Sequence, residues 1–132
     1  MAGYSGTPLP KKLGISPGAR LRFVAAPNEF AAALGPLPAG VRFAARCPAD
    51  VVVFFTERRA DLDRRFARLA RGLDRAGGLW IAWPKKASGV PTDLDENAVR
   101  KIGLAAGLVD NKVCAIDETW SGLRFVVRLA DR

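Results

Sequence analysis

Two continuously apolar runs, Val51–Phe55 and Leu79–Trp83, constrain the fold of this chain more than any other feature. Short segments that are apolar at every position are typical of strands covered on both faces, as the strands of parallel sheets are. An arginine-rich segment over 57–75 separates the two runs, and its leucines and phenylalanine recur at helical spacing. Strands that alternate with helices in this way predict an α/β fold with a mostly parallel sheet.

Weaker signals predict the remaining helices and strands. The glycine pair Gly77-Gly78 is expected to end the arginine-rich helix. The other predicted helices run from Thr7–Pro8 to Leu13, from Asn28 to about Leu34, and from a capping box of Asp93 with Glu96 to about Ala106. The other predicted strands are Leu21–Ala26, Val41–Ala45, Val113–Asp117 and Leu123–Leu129, with a turn at Trp120–Gly122 before the last.

The short spacing before the first apolar run bears on strand direction. Only Arg46 to Asp50 separates Val41–Ala45 from Val51–Phe55. Since a parallel crossover needs a dozen or more residues, Val41–Ala45 is expected to run antiparallel to its successor. The predicted fold is a Rossmann-like three-layer α/β/α sandwich. It has about six strands, mostly parallel, with a C-terminal antiparallel hairpin, in one domain over 1–132 whose segment 1–18 carries the first short helix.

The composition is that of a globular protein. The chain has 132 residues, of which 49% are hydrophobic. Its apolar runs fall far short of the roughly 20 residues that cross a bilayer. Met1–Ser5 lacks the basic and then apolar pattern of a secretory signal, so we expect a cytoplasmic protein.

The chain has no histidine and two cysteines, which limits its possible chemistry. Without histidine there is no Ser-His or Cys-His nucleophile pair, so catalysis would rest on Asp, Glu, Lys, Tyr or a cofactor. Two cysteines alone make no metal site, and we predict none. Cys47 and Cys114 lie among apolar neighbours and are predicted to be buried.

The chain has a net charge of +8, and seven of its fifteen arginines lie in the arginine-rich helix over 57–75. Acidic residues are interleaved with these arginines, which is typical of a solvated helix face. The alternative is a surface that binds phosphates, because phosphate contacts dominate the affinity for nucleic acids. No interleaved aromatic residues or known binding motif favour that alternative.

Lysines are rarer than arginines, and one of their pairs follows the second apolar run. Loops at the carboxyl ends of parallel strands bind the ligands of open α/β sheets. Lys85 or Lys86 is therefore expected to face Asp117 or Glu118 across a crevice, with Trp83 and Trp120 as apolar walls. Of the tryptophans, Trp80 and Trp83 fit the core better and Trp120 is the better site candidate. The predicted ligand-binding residues of this lysine rim, at 83–89 and 117–121, are Lys85, Lys86, Ser88, Gly89, Asp117, Glu118, Trp120 and Ser121. We predict no catalytic residue.

Three local patterns resemble the class I methyltransferase scaffold. They are Leu13–Gly18 before the first strand, Asp50–Val53, and Gly77–Ile81. The segment 25–30 after the first strand has no glycine, although that scaffold would need one for close approach of a nucleotide-like ligand. The segment 44–46 after the second strand has no acidic residue for a ribose. We therefore expect no cofactor bound in the usual mode.

Four motifs in order are similar to a bacterial family known as domain of unknown function 3052. They are Gly3–Leu9 with Lys11–Gly14, Trp83–Gly89, Gly107–Ala115 and Asp117–Leu123. The resemblance covers nearly the whole chain. It implies no activity that can be carried over.

The sequence favours a non-catalytic binding or regulatory module that holds an anionic small molecule or an acidic protein segment at the lysine rim. One alternative is a divergent methyltransferase-like enzyme that uses Asp117 or Glu118 for acid-base chemistry. Another is nucleic-acid binding through the arginine-rich helix over 57–75. No membrane partner is expected.

Overall fold

The structure is a computed structural model that describes residues 6–132. Met1–Ser5, with the first residues of the motif that begins at Gly3, lies outside the described residues. The helices are α1 (Leu9–Lys12), α2 (Phe30–Leu34), α3 (Arg59–Arg71) and α4 (Glu96–Ala105), with short 3₁₀ turns at Lys86–Ser88 and Leu129–Asp131. The strands are β1 (Arg20–Val24), β2 (Arg42–Phe43), β3 (Ala49–Phe55), β4 (Leu73–Pro84), β5 (Leu108–Ala115) and β6 (Trp120–Val127).

The six strands form one mixed sheet in the order β2-β1-β3-β4-β6-β5. The four strands β2, β1, β3 and β4 pair in parallel, and β6 lies antiparallel between β4 and β5. The prediction of a six-stranded, Rossmann-like α/β fold with a C-terminal antiparallel hairpin is confirmed. The division of the chain into one domain stays a prediction.

Helices cover the sheet on both faces, which explains why β3 is apolar at every position from Val51 onward. Val52 and Phe54 pack in a cluster with Leu62 and Phe66 of α3 and with side chains of α4. The alternate residues of β3 pack on the opposite face with side chains of α1 and α2. Trp80 is fully buried and Trp83 is 5% exposed, so the prediction that both lie in the core is confirmed.

The direction predicted for β2 is wrong. β2 has only two residues and pairs in parallel with the beginning of β1, where Phe43 lies opposite Leu21. Leu21 in turn lies opposite Val51 near the beginning of β3. Because β2 ends close to the level at which β3 begins, the connection does not have to return along a whole strand. Five residues therefore suffice where a full-length parallel crossover needs a dozen or more.

The helix α3 ends earlier than the sequence predicts. It stops at Gly72, and Gly77 and Gly78 lie inside β4. Leu73 extends the apolar stripe of the helix in the sequence, yet it begins β4 and is buried there. A Cβ on Gly77 would lie 2.6 Å from the Asp50 carbonyl oxygen, so the pair allows close strand packing rather than ending a helix.

The helix α4 begins later than predicted. The carboxylate of Asp95 accepts a hydrogen bond from the backbone nitrogen of Ala98 at 2.8 Å and caps α4. Asp93 instead accepts from the backbone nitrogen of Arg59 at 2.7 Å, at the beginning of α3. Trp120 begins β6 rather than lying in a turn.

The two cysteines differ in environment. Cys47 is exposed, so its predicted burial is wrong: it lies in the connection that passes over β1 rather than in a strand. Cys114 is half-buried on β5, and desolvation by burial raises the pKa of its thiol.

Among residues 6–132, no helix has the length and apolar character needed to cross a membrane.

Candidate functional site

The sheet changes its winding direction between β1 and β3. The chain leaves β1 through α2 to reach β2 on one side, and leaves β3 through α3 to reach β4 on the other. The two helices also pack on opposite faces of the sheet. The carboxyl ends of β1 and β3 therefore form a topological switch point, which is where open α/β sheets bind ligands.

A cavity of about 720 Å³ lies at this switch point. Ala25 and Pro27 follow β1, and Thr56 and Glu57 follow β3. We call it the switch-point cavity. Its size is within the range of small-molecule sites.

The turn after β1 has an unusual backbone. Ala25 has φ of 57°, and no other non-glycine residue among 6–132 has a positive φ. A non-glycine residue in this left-handed region costs about 1–2 kcal/mol. Such outliers often occur at ligand sites, where the surrounding fold maintains them. The absence of a glycine after β1 thus does not prevent a glycine-like turn.

A polar cluster forms one side of the cavity. The hydroxyl of Thr56, itself buried, donates to the carboxylate of Asp61 at 3.0 Å, and Arg64 donates to the same carboxylate at 2.8 Å. The Arg64 hydrogen bond, followed by that of Thr56, lowers the pKa of Asp61 from its ordinary value, against the opposing effect of partial burial. Asp61 is therefore a fixed carboxylate at neutral pH rather than a proton donor.

Aromatic rings form another side. Phe55 and Trp120 line the cavity and meet edge to face, with their ring centroids 5.1 Å apart. Trp120 is 7% exposed, and its indole nitrogen has no hydrogen-bond partner in the described part of the chain. Because buried donors are nearly always paired, this unpaired N–H is an unsatisfied buried donor next to the cavity residues.

The structure brings Lys85 and Asp117 of the lysine rim together, but through the backbone. Lys85 Nζ donates to the carbonyl oxygen of Asp117 at 2.6 Å, and the Lys85 backbone nitrogen donates to the carbonyl oxygen of Thr119 at 2.8 Å. The Asp117 carboxylate accepts from the backbone nitrogens of Thr119 and Trp120, both at 2.8 Å. These contacts tie the end of β4 to the β5–β6 turn.

The remaining residues of the lysine rim lie in the same two loops. Ser88 donates to the carbonyl oxygen of Lys85 at 2.6 Å and closes the 3₁₀ turn, and Gly89 follows with φ of 75°. Ser121 pairs with Trp83 within the sheet, and Lys86 and Glu118 are exposed. Ligand binding by these residues stays a prediction.

Of the eight predicted site residues, only Trp120 lines the switch-point cavity. The lining residues that sequence reasoning did not select include Ala25, Phe55, Arg58, Asp61 and Arg64. The sequence does place Pro27, Thr56 and Glu57 at the predicted rim, directly after β1 and β3, and this position is the signal that points to the cavity. Among residues 6–132, no three Cys, Asp or Glu side chains converge as metal ligands would.

No protein-family model and no curated protein sequence matches the chain, so membership of the family known as domain of unknown function 3052 is unsupported. Solved structures do match its fold. Fibrillarin, a pre-rRNA processing protein of Methanococcus jannaschii, is 10% identical with a TM-score of 0.55, over 94% of this chain and 70% of that one. LepI in complex with SAM is 14% identical with a TM-score of 0.50, over 91% of this chain and 39% of that one.

Magnesium protoporphyrin IX methyltransferase of Synechocystis PCC 6803 with bound SAM is 17% identical with a TM-score of 0.49, over 76% of this chain. This chain covers 50% of that methyltransferase's length, or about half. At these identities the comparisons establish a Rossmann-like α/β fold and nothing finer.

The same comparisons correct the expectation that the chain is not an enzyme. That expectation rested on the missing glycine and acidic residue after β1 and β2. One solved structure of the same fold, with a TM-score of 0.50, is described as a pericyclic reaction enzyme. The fold is thus one that enzymes use, so the missing glycine and acidic residue are not grounds for excluding an enzyme.

Proposed function

We propose that this protein is a divergent methyltransferase-like enzyme that binds S-adenosylmethionine in the switch-point cavity. The observation that carries the proposal is the position of this cavity at the carboxyl ends of β1 and β3, where the sheet changes its winding direction. The LepI structure, which shares the fold, is a complex with SAM.

The residues of the cavity fit a nucleoside ligand with a charged tail. Phe55 and Trp120 line the cavity and would contact the base, and the indole N–H of Trp120 has no partner within residues 6–132. Ala25 has a positive φ, so the turn after β1 has the backbone conformation that glycine usually adopts. The volume of about 720 Å³ is sufficient for a ligand of this size.

Each end of the ligand has a partner in the cavity. Glu57 is exposed there and would accept hydrogen bonds from ribose hydroxyls, replacing the acidic residue missing after β2. Arg58 also lines the cavity, and its guanidinium forms no hydrogen bond or ion pair with other residues among 6–132, so it would bind the ligand carboxylate. Bound S-adenosylmethionine supplies an electrophilic methyl group, and the chain's own contribution is to bind and orient it.

Isothermal titration calorimetry with S-adenosylmethionine tests the proposal. We expect binding by the wild type, a loss of about tenfold for Glu57→Ala, the cost of about one hydrogen bond, and no loss for the exposed control Asp63→Ala, which lies outside the cavity. The proposal would be overturned if the wild type showed no heat of binding and no thermal shift with S-adenosylmethionine at about 1 mM.

A further inference from the structure

A second cavity lies beside the switch-point cavity, and its walls are cationic. It has a volume of about 800 Å³ and is formed by β1, the connection from β2 to β3, and α3. No acidic residue lines it. Its six arginines are Arg22, Arg46, Arg64, Arg65, Arg68 and Arg71, and we call the cavity the arginine basin.

Three of these six arginines have no acidic partner, within residues 6–132, that would neutralise their charge. Arg46, Arg68 and Arg71 are exposed, and none of them forms an ion pair or a hydrogen bond with another residue in the described range 6–132. Arg64 and Arg65 share the single carboxylate of Asp61, at 2.8 and 4.0 Å. The basin therefore carries an excess of positive charge in a concave surface, which concentrates anions.

Arg22 is fixed in the basin wall without a carboxylate. Its guanidinium donates to the carbonyl oxygens of Ala44 at 3.0 Å, Gly72 at 3.1 Å and Cys47 at 2.6 Å. These three bonds hold the cation in one orientation while leaving its charge unneutralised. A site whose donor is already ordered loses less entropy when an anion binds.

From this geometry we infer that the arginine basin binds a ligand with several closely spaced phosphate groups. The basin uses arginine throughout and no lysine, and the planar guanidinium matches phosphate oxygens with paired hydrogen bonds. A single carboxylate would leave most of the charge uncompensated, whereas a run of phosphates would not.

The phosphates could belong to a nucleic-acid strand or to a free polyphosphate such as a nucleoside triphosphate. Arg64 lines both cavities, so a ligand in the basin would adjoin the switch-point cavity. Phosphate binding itself requires no methyl transfer, so this inference stands or falls separately from the proposed function.

Fluorescence anisotropy tests the inference with two probes, a labelled single-stranded oligonucleotide of about ten nucleotides and tripolyphosphate as competitor. The basin variant carries Arg46→Gln, Arg68→Gln and Arg71→Gln. The control variant carries Arg59→Gln, Lys101→Gln and Arg128→Gln, which removes three exposed charges outside the basin. All six side chains are exposed, so both variants are expected to fold.

We expect the basin variant to weaken oligonucleotide binding at least tenfold and to lower the salt slope by about 2, at roughly 0.7 per lost contact with a single strand. The control variant should retain most of the affinity. Displacement of the oligonucleotide by tripolyphosphate at similar concentration would assign the site to free polyphosphates, and its failure to compete would assign it to a strand.

Three results would overturn the inference: no binding of either probe by the wild type at low salt, equal losses in the two variants, or equal competition by an oligoglutamate of the same charge.

Discussion

Arg22 and Gly72 approach each other so closely that residue 72 has no room for a side chain. Arg22 Nη1 donates to the Gly72 carbonyl oxygen at 3.1 Å, and a Cβ on Gly72 would lie 2.6 Å from the same nitrogen. The carbonyl oxygens of Ala44 and Cys47 bind the rest of the guanidinium, so it cannot move aside easily. Through Arg22 of β1, these hydrogen bonds join the connection from β2 to β3 to the end of α3.

Gly72→Ala should therefore lower the free energy of unfolding by about 1–3 kcal/mol, the usual cost of an overpacked contact. Urea denaturation of the single variants and of Gly72→Ala combined with Arg22→Ala measures the coupling between the two positions. With the guanidinium removed, the cost of the Gly72→Ala substitution should nearly vanish. Additive losses would show that Gly72 is required for a reason other than Arg22.

Replacing Ala25 by glycine should stabilise the protein, because its φ of 57° is strained for any residue with a Cβ. After the greater unfolded-state entropy of glycine is subtracted, we expect a gain of about 0.5–1 kcal/mol in the free energy of unfolding. The neighbouring Ala26→Gly has no such strain to relieve and should lose a similar amount. Equal losses in both variants would contradict a left-handed turn after β1.

Asp50 should make part of the stability dependent on acid pH. Its carboxylate receives hydrogen bonds from the Arg20 guanidinium, with an ion pair of 2.9 Å, and this lowers the pKa of Asp50 below the ordinary 3.8. A folded-state pKa below the unfolded one stabilises the fold above about pH 4, and the contribution is lost as the pH falls through the folded value.

Asp50→Asn should accordingly destabilise the protein at neutral pH by about 1 kcal/mol, because a partly exposed ion pair is screened by solvent. The difference from wild type should shrink as urea titrations move from about pH 5 to about pH 2. The exposed Asp63→Asn serves as the control and should show a smaller effect at neutral pH. A difference that stays constant over this acid range would exclude the ion pair as its source.

Lys85 and Lys86 should differ, although they are neighbours. Lys85→Met removes the charged donor to the Asp117 carbonyl oxygen and is expected to lower the free energy of unfolding by about 1–2 kcal/mol. Lys86→Met changes an exposed side chain and should be nearly neutral. Thermal denaturation of both variants makes the comparison. Equal stability would mean that Lys85 does not tie the loops together and is available for a ligand.

The parts of the fold that could be predicted from sequence are those whose burial leaves a pattern. The apolar runs of β3 and β4 exist because helices cover both faces, and the sequence carries that information directly. The direction of β2 could not be predicted, because the rule for parallel crossovers assumes strands of ordinary length. The end of α3 could not be predicted, because Leu73 continues the apolar stripe of the helix in the sequence although it belongs to β4.

The candidate site shows the same limits. Strand order was needed to recognise that the ends of β1 and β3 meet at a switch point, and no local motif encodes that order. The absence of glycine after β1 did not reveal the conformation of the turn, since Ala25 adopts the left-handed conformation without it. Trp120 was selected from its sequence neighbourhood, although its position in a strand was not foreseen.

The indole N–H signals of the three tryptophans in a ¹⁵N-correlated NMR spectrum offer the most direct test of the switch-point cavity. Trp80 donates its indole N–H to the Leu13 carbonyl oxygen at 3.0 Å, away from the cavity, whereas Trp120 lines the cavity with its indole N–H unpaired among residues 6–132. Upon titration with S-adenosylmethionine, the Trp120 signal should shift in a saturable way while the Trp80 signal stays in place. An unmoved Trp120 signal at saturating ligand, or equal shifts of both signals, would contradict binding at this cavity.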